Sequence, residues 1–389
     1  MFKTEKKIVD FFEKNYIAFG FIVISILSIA IRYYMLPCKS LDYKMFLKPW
    51  FDYIKNNGGM HALAHEPSNY NAPYMTIIAI LTYLPIKSLF SIKLVSIIFD
   101  YVLAVSCMLL VNEITKEKKF FNIKSLLIYS FIIFFPQVMF NSALWGQCDS
   151  IYTSFMILSL LFLIREEYTK SFIFLGISFA FKLQFIFILP LYIVLYVVTK
   201  KFSIINFLII PFVDFILCIP ALLYGKPLRE VVSIYLEQPG MYKQYMTLNF
   251  PNIYSMIGVD PRYFYRIGFI FTVAICALTL IYIIYKKINW NNEKIMLLAL
   301  YFILVVTYFL PGMHERYLYA GEVICLLYYY MYKKHFGILV FLILAPLITY
   351  SNVLHGNYFD YMPYLSIAFF VIIVYFMKNT LQELTSKNS

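Results

Sequence analysis

The chain has little charge and few stretches suited to water. Only 14% of its 389 residues are charged, against 62% hydrophobic and 20% aromatic, and the mean hydropathy is +0.74. A soluble globular domain does not have this balance. Apolar runs recur from AFGFIVISILSIAIRYYML near the start to YLSIAFFVIIVYFM near the end, leaving no room for a soluble domain between them. Soluble-enzyme signatures are also missing: there is no phosphate loop, Gly-rich dinucleotide turn, serine elbow or metalloprotease helix motif, and no Asp-X-Asp in the first polar loop. The six cysteines (Cys38, Cys107, Cys148, Cys218, Cys276, Cys325) lack metal-ligand spacing. Cys38 and Cys148 fall in predicted outer loops, where they could pair or stand as isolated small side chains. The net charge of +12 does not imply nucleic acid, because the basic residues are scattered through short loops and membrane edges, where they set topology.

What is present reads as one all-α polytopic membrane domain over 1–389. The first apolar run follows MFKTEKK as a signal peptide would, but it continues into YYMLPCKSLDYK without a small-residue cleavage site, so it is read as a retained helix. Lys3, Lys6, Lys7 and Lys14 place the amino terminus in the cytoplasm. The first crossing, 15–36, then leads to a long outer loop, 37–72. PYMTIIAILTYLPIKSLF (73–90) is read as an embedded helix at the outer surface, because a crossing there would put TKEKKFFNIK on the wrong side. Further crossings are expected at 91–112, 123–140, 150–164, 170–182, 185–199, 203–222, 264–285, 295–310, 318–332, 336–351 and 362–377. That makes about twelve, with both termini cytoplasmic and the basic clusters Arg165/Lys170, Lys200/Lys201, Lys286/Lys287/Lys294 and Lys333/Lys334 inside. The Lys, Ile, Asn, Phe and Tyr bias suggests an AT-rich genome and a bacterial plasma membrane.

With this topology the polar residues that loops do not explain gather on the extracytoplasmic side, where ionisable groups at membrane depth usually face a cavity or a partner. Asp42 follows the first helix among aromatic and basic neighbours. A carboxylate in a half-buried cleft can take a proton from a hydroxyl nucleophile; the alternative is a solvated loop aspartate, and Asp149 has the same two readings. Trp145 and Gln147 suit stacking on a sugar ring and bonding its hydroxyls, although an interfacial Trp also serves as a membrane-belt residue. Lys182 and Arg316 could neutralise a phosphate, with His314 adding a hydrogen bond or a proton. Alternatively Lys182 snorkels to the interface and Glu315 pairs with Arg316 to pin two helices. Asn249 and Asn252 could bind hydroxyls or simply line their loop.

These segments together, DYKMFLKPWFDYIKNNGG from Asp42, WGQCDSIY from Trp145, FKLQFIFILP from Phe181, NFPNIY from Asn249 and PGMHERYLY from Pro311, resemble the GT-C superfamily of integral-membrane glycosyltransferases. More narrowly, they are similar to bacterial mannosyltransferase-like proteins related to the enzyme that adds the second mannose of GPI anchors (the PIG-V type). The resemblance implies a polyprenyl-phosphate-linked sugar donor, a lipid, glycan or protein hydroxyl acceptor, and inversion at the anomeric carbon. It makes Asp42 the candidate general base and Asp149 a second carboxylate that orients the acceptor or holds a metal. Lys182, His314 and Arg316 become candidates for the donor phosphate, and Trp145, Gln147, Gln184, Asn249, Asn252, Glu315 and Tyr317 for the sugar and acceptor. No cofactor is required by these residues, and a divalent metal is left open. The main rival is a lipid or solute transporter using the mid-helix Asp100 and Asp214 as a proton relay; both could equally be helix-packing contacts. A polymerase or ligase with a diphosphate-linked oligosaccharide donor would carry a larger outer loop.

Overall fold

The computed structural model describes residues 2–355 and 361–386. It is 79% helical and nearly all-α, with several helices suited to a membrane. In chain order the helices are α1 (Lys3–Met35), α2 (Lys48–Asn56), α3 (Ala72–Leu81), α4 (Ser88–Ile114), α5 (Ile123–Ile133), α6 (Pro136–Met139), α7 (Asp149–Ile164), α8 (Tyr168–Phe181) and α9 (Leu189–Thr199). They continue as α10 (Ile209–Leu223), α11 (Leu228–Met241), α12 (Ile253–Ile257), α13 (Pro261–Lys286), α14 (Asn292–Phe309), α15 (Tyr319–Tyr332), α16 (Phe336–His355) and α17 (Met362–Thr385). Two short strands, β1 (Thr247–Leu248) and β2 (Met313–His314), pair in parallel and bring the NFPNIY and PGMHERY segments side by side.

Every apolar segment expected to cross is helical, but their lengths differ from a set of twelve full crossings. Among the described residues six helices are long and apolar enough to cross a membrane alone: α1, α4, α10 with the turn before it, α13, α14 and α17. The count reaches seven if α5 and the helix after it, bent by 53°, form one span. Helices α7, α8 and α15 have 16, 14 and 14 residues, or about 21–24 Å of rise against a hydrocarbon core of about 30 Å. Helix α8 is partly buried, packed beside α10. Helices α7, α14 and α15 are almost wholly buried, whereas α1, α10 and α13 present Ile, Leu, Phe and Val outward, as lipid-facing helices do.

Two sequence expectations are corrected. The segment 37–72 is no open loop: it holds a π-turn (Tyr43–Leu47), α2 and a 3-10 turn (Gly59–Ala64). The lysines and Asp52 disguised α2, a short amphipathic helix with Pro49 in its first turn that buries Trp50, Phe51 and Ile54 on one face. The embedded helix spans Ala72–Leu81 rather than 73–90, and it is packed into the protein rather than laid on its surface, with Tyr74, Met75, Ile78 and Ala79 buried. Its ten residues rise about 15 Å, too short to cross.

At one end of the bundle the helix termini are tied by charge. Arg165 after α7 pairs with Glu113 of α4, and Glu166 pairs with Lys201 after α9. Lys334 after α15 reaches Glu293 of α14 and Glu383 of α17. Lys116, Lys200, Lys287 and Lys333 follow helices in the left-handed conformation usually given to glycine. A cation there complements the helix carbonyl end.

Helices α8 and α10 approach closely at Gly176. A Cβ there would lie 2.8 Å from the Val213 Cβ and 3.1 Å from the Ile210 carbonyl oxygen, the small-residue packing that membrane helices use. Gly176→Val should therefore lower the thermal midpoint in detergent, at a cost of about 1–3 kcal/mol. Gly337→Ala, where a Cβ meets nothing within 4 Å, should leave the midpoint unchanged or slightly raised.

Candidate active site

The site begins where α1 ends. The buried Lys93 amine of α4 donates to the carbonyls of Met35, Leu36 and Cys38 at 3.3, 3.1 and 2.7 Å, fixing the chain as it leaves the helix. Ser40 Oγ then donates to the Trp145 carbonyl at 2.7 Å and accepts from the Tyr43 amide at 3.1 Å. Asp42 is thereby set against the segment that carries Trp145.

That segment is a second π-turn, Phe140–Trp145, closed by Gly146 at φ +82°. The left-handed glycine turns the chain so that Trp145 and the residue after the glycine both face Asp42. Trp145 Nε1 donates to Asp42 Oδ2 at 3.0 Å and Gln147 Nε2 donates to the same oxygen at 2.5 Å. Arg316 Nη1 is a third donor to it at 3.0 Å. No hydrogen bond from the described residues reaches Oδ1, and the side chain is 21% exposed. One carboxylate oxygen is fixed and the other is open.

Asp149, the first residue of α7, forms the second node. Lys182 Nζ donates to Asp149 Oδ1 at 2.6 Å, with both side chains buried. Asn141 Nδ2 donates to Oδ2 at 2.7 Å, and the Asn141 side-chain oxygen accepts the Asp149 amide at 3.3 Å. The helix start favours the carboxylate further. Arg316 joins the nodes, its Nε 4.0 Å from Asp149 Oδ2 and its guanidinium 5.8 Å from the centre of a Trp145 ring. Burial works against the Arg316 charge, but Tyr70, Asp42 and Asp149 more than offset it and hold its pKa well above the usual value. Its Nε is buried without a hydrogen-bond partner. Tyr70 closes the group: its hydroxyl donates to Gln147 Oε1 at 3.1 Å and its ring lies under Lys182 at 5.5 Å. Burial, opposed by Lys182, pushes the Tyr70 phenol up to about 12, so it stays a donor at neutral pH.

Six of the residues singled out in the sequence, Asp42, Trp145, Gln147, Asp149, Lys182 and Arg316, are therefore in one connected network. His314 is close in the chain but turned to Tyr242 and Tyr317, with ring centroids 4.8 and 5.1 Å away. Its Nδ1 is 3.9 Å from Glu315, and its buried Nε2 has no partner. The Glu315–Arg316 ion pair weighed in the sequence does not form; Arg316 faces the aspartates. Gln184 is half-buried, and no hydrogen bond from the described residues reaches it. The asparagines do other work: Asn252 is fully buried and caps α12 through the amides of Tyr254 and Ser255, and Asn249 donates to the Thr349 carbonyl. Cys38 and Cys148 are free thiols.

The carboxylates weighed for transport are both engaged. Arg32 of α1 donates to Asp100 Oδ2 through Nε and Nη2 at 3.1 and 2.9 Å, with side-chain exposures of 1% and 0%. Ser142 of the π-turn donates to the same oxygen at 2.5 Å. Asp214 accepts from Asn71 at 2.8 Å. The buried Glu322 has neither oxygen bonded.

Tyr70, Asn141 and the Arg32–Asp100–Ser142 link were not picked out as site residues. An arginine inside the first apolar helix was the available signal for the last, and Asn141, eight residues before Asp149 in the same polar stretch, for the second. Tyr70 had none, being one tyrosine among 36.

No three His, Cys, Asp or Glu side chains come together to hold a metal among the described residues. Lys182 and Arg316 stand against the two carboxylates that would have to bind one, so the residues suit an ion-pair network rather than a divalent site. No model of a known protein family matches the chain, and no curated protein matches it.

The Arg32–Asp100 pair ties α1 and α4 to the π-turn, and removing one partner leaves the other charge buried. Arg32→Met should destabilise the protein by about 3–5 kcal/mol in a thermal melt. Arg32→Met combined with Asp100→Leu should recover much of that loss.

Proposed function

We propose that the chain is an integral-membrane glycosyltransferase of the GT-C type. It moves a hexose, mannose by the resemblance, from a polyprenyl-phosphate donor to a hydroxyl acceptor. The observation that carries this reading is the state of Asp42, with one oxygen held by three donors and the other open, joined through Arg316 to the Asp149–Lys182 pair. A base needs a fixed orientation and a free lone pair, and a leaving phosphate needs cations already in place. Both are present within one network.

In the proposed reaction the acceptor oxygen attacks C1 of the donor sugar as its proton passes to Asp42 Oδ1. The C1–O bond to phosphate breaks, its electron pair leaves with the polyprenyl phosphate, and the configuration at C1 inverts. Negative charge grows on the phosphate, where the positive charges of Arg316 and Lys182 would stabilise the transition state more than the ground state. Asp149 would hold Lys182 in place, while Trp145, buried against Tyr350, would fix Asp42. The site would face the extracytoplasmic side of a bacterial plasma membrane, with both termini inside. In that arrangement the shorter helices supply the crossings beyond the six long ones, for about twelve in all. The transporter alternative is less favoured, because Asp100 and Asp214 are held by Arg32 and Asn71 rather than lining a path.

The test is reconstitution in lipid with a panel of radiolabelled polyprenyl-phosphate sugars and candidate acceptors, measuring release of the lipid phosphate. One sugar should be released by the wild type. Asp42→Asn should cut that release by about 10²–10⁴-fold with an unchanged melting profile. Arg316→Ala should lower turnover by about 10²-fold or more. Release that survives Asp42→Asn in folded protein would remove Asp42 as the base, and silence from every donor and acceptor pair would count against the class.

A further inference from the structure

Helix α1 is longer than a crossing requires. Its 33 residues rise about 50 Å, against about 30 Å of hydrocarbon, and the surplus at its start has a different character from the rest. Residues 3–14 are exposed throughout. At about 100° per residue, Ile8, Val9, Phe11 and Phe12 fall within an arc of about 160°. Lys3, Lys6, Lys7, Asp10, Glu13 and Lys14 occupy the opposite side. Glu5 falls within the apolar arc, between Phe12 and Val9, and its carboxylate accepts the Phe2 amide.

The helix breaks where this pattern ends. Asn15 leaves helical geometry at φ −115° and ψ 15°, and its side chain donates back to the Phe11 carbonyl at 2.8 Å. The direction of the bend follows from the aromatic rings. Phe12 and Phe19 stand seven residues apart, about 10 Å along a straight helix, yet their ring centroids are 4.4 Å apart, and the Phe11–Phe19 centroids are 5.8 Å apart. The bend therefore closes toward the apolar arc. A helix turned toward its own apolar face at the end of a lipid-facing span presents that face to the lipid and the charged face to water.

We infer that residues 3–14 form an interfacial helix that lies on the membrane surface at the start of α1 and binds anionic lipid headgroups. Phe2, Ile8, Val9, Phe11 and Phe12, exposed by 79, 52, 41, 58 and 50%, enter the headgroup–acyl boundary. Four lysines against Asp10 and Glu13 leave a surplus of positive charge on the outer face, complementary to an anionic leaflet. This inference does not rest on the proposed enzymatic activity.

The full-length protein, in vesicles of phosphatidylcholine with phosphatidylglycerol, would carry a spin label at Phe12→Cys or Lys6→Cys, with unsubstituted protein as the background for native thiols. Collision with oxygen, which concentrates in lipid, is compared with collision with a water-soluble nickel complex. The oxygen-to-nickel ratio should be several-fold higher at position 12 than at position 6, with Ile8→Cys and Lys7→Cys repeating the contrast. It should fall several-fold at position 12 when phosphatidylglycerol is omitted or when Lys3 and Lys7 are changed to Glu. Equal nickel access at both positions would mean that the segment stands clear of the bilayer. Position 12 shielded from both reagents would mean that protein, such as a second copy, covers the face. Either result overturns the proposal, as does a ratio unaffected by both charge changes.

Discussion

Arg316 stands between two carboxylates, and the arrangement of the polar centre depends on it. Asp42 comes from the turn after the first helix, Asp149 from the start of the seventh and Arg316 from the turn after a two-residue strand. Their charges balance locally once Lys182 is included, which is what allows a group of ionisable side chains to sit inside so apolar a chain. Removing either member of the buried Asp149–Lys182 pair would leave its partner charged in a medium that solvates it poorly.

The network also explains why parts distant from the site are built as they are. Lys93 closes the end of α1, Ser40 ties the next turn to Trp145, and Ser142 ties the same π-turn to Asp100 and Arg32. The first helix is thus held to α4 at two levels, by an ion pair within the helix and by a lysine at its end. Asp42 takes its place from this framework rather than from its own loop.

Much of the helical layout was legible because apolar runs and intervening basic residues follow directly from the solvent the chain must face. The run beginning at residue 123 and the one ending at 285 each correspond to helical structure in the fold. Helix α2 was not legible: its three charged residues, Lys48, Asp52 and Lys55, equal in number the three that it buries and break up the apolar run. The site was legible in part. Asp42, Trp145, Gln147, Asp149, Lys182 and Arg316 stood out because polar groups at membrane depth require partners. Which group partners which depends on chain turns at Gly146 and at β2, and those have no periodic signature. Asn252 carries a role that the sequence did not signal, since a buried asparagine that caps a helix has the same letter as one that binds a sugar.

Two π-turns meet at this centre: Asp42 precedes one, and Trp145 ends the other. A π-turn is an α-helical turn carrying one extra residue, so the side chains after it are rotated relative to their uninterrupted register. Loss of a single residue within 140–145 would favour ordinary helical register and swing Trp145 away from Asp42. The polar centre thus depends on chain length at this turn as well as on the identity of its side chains.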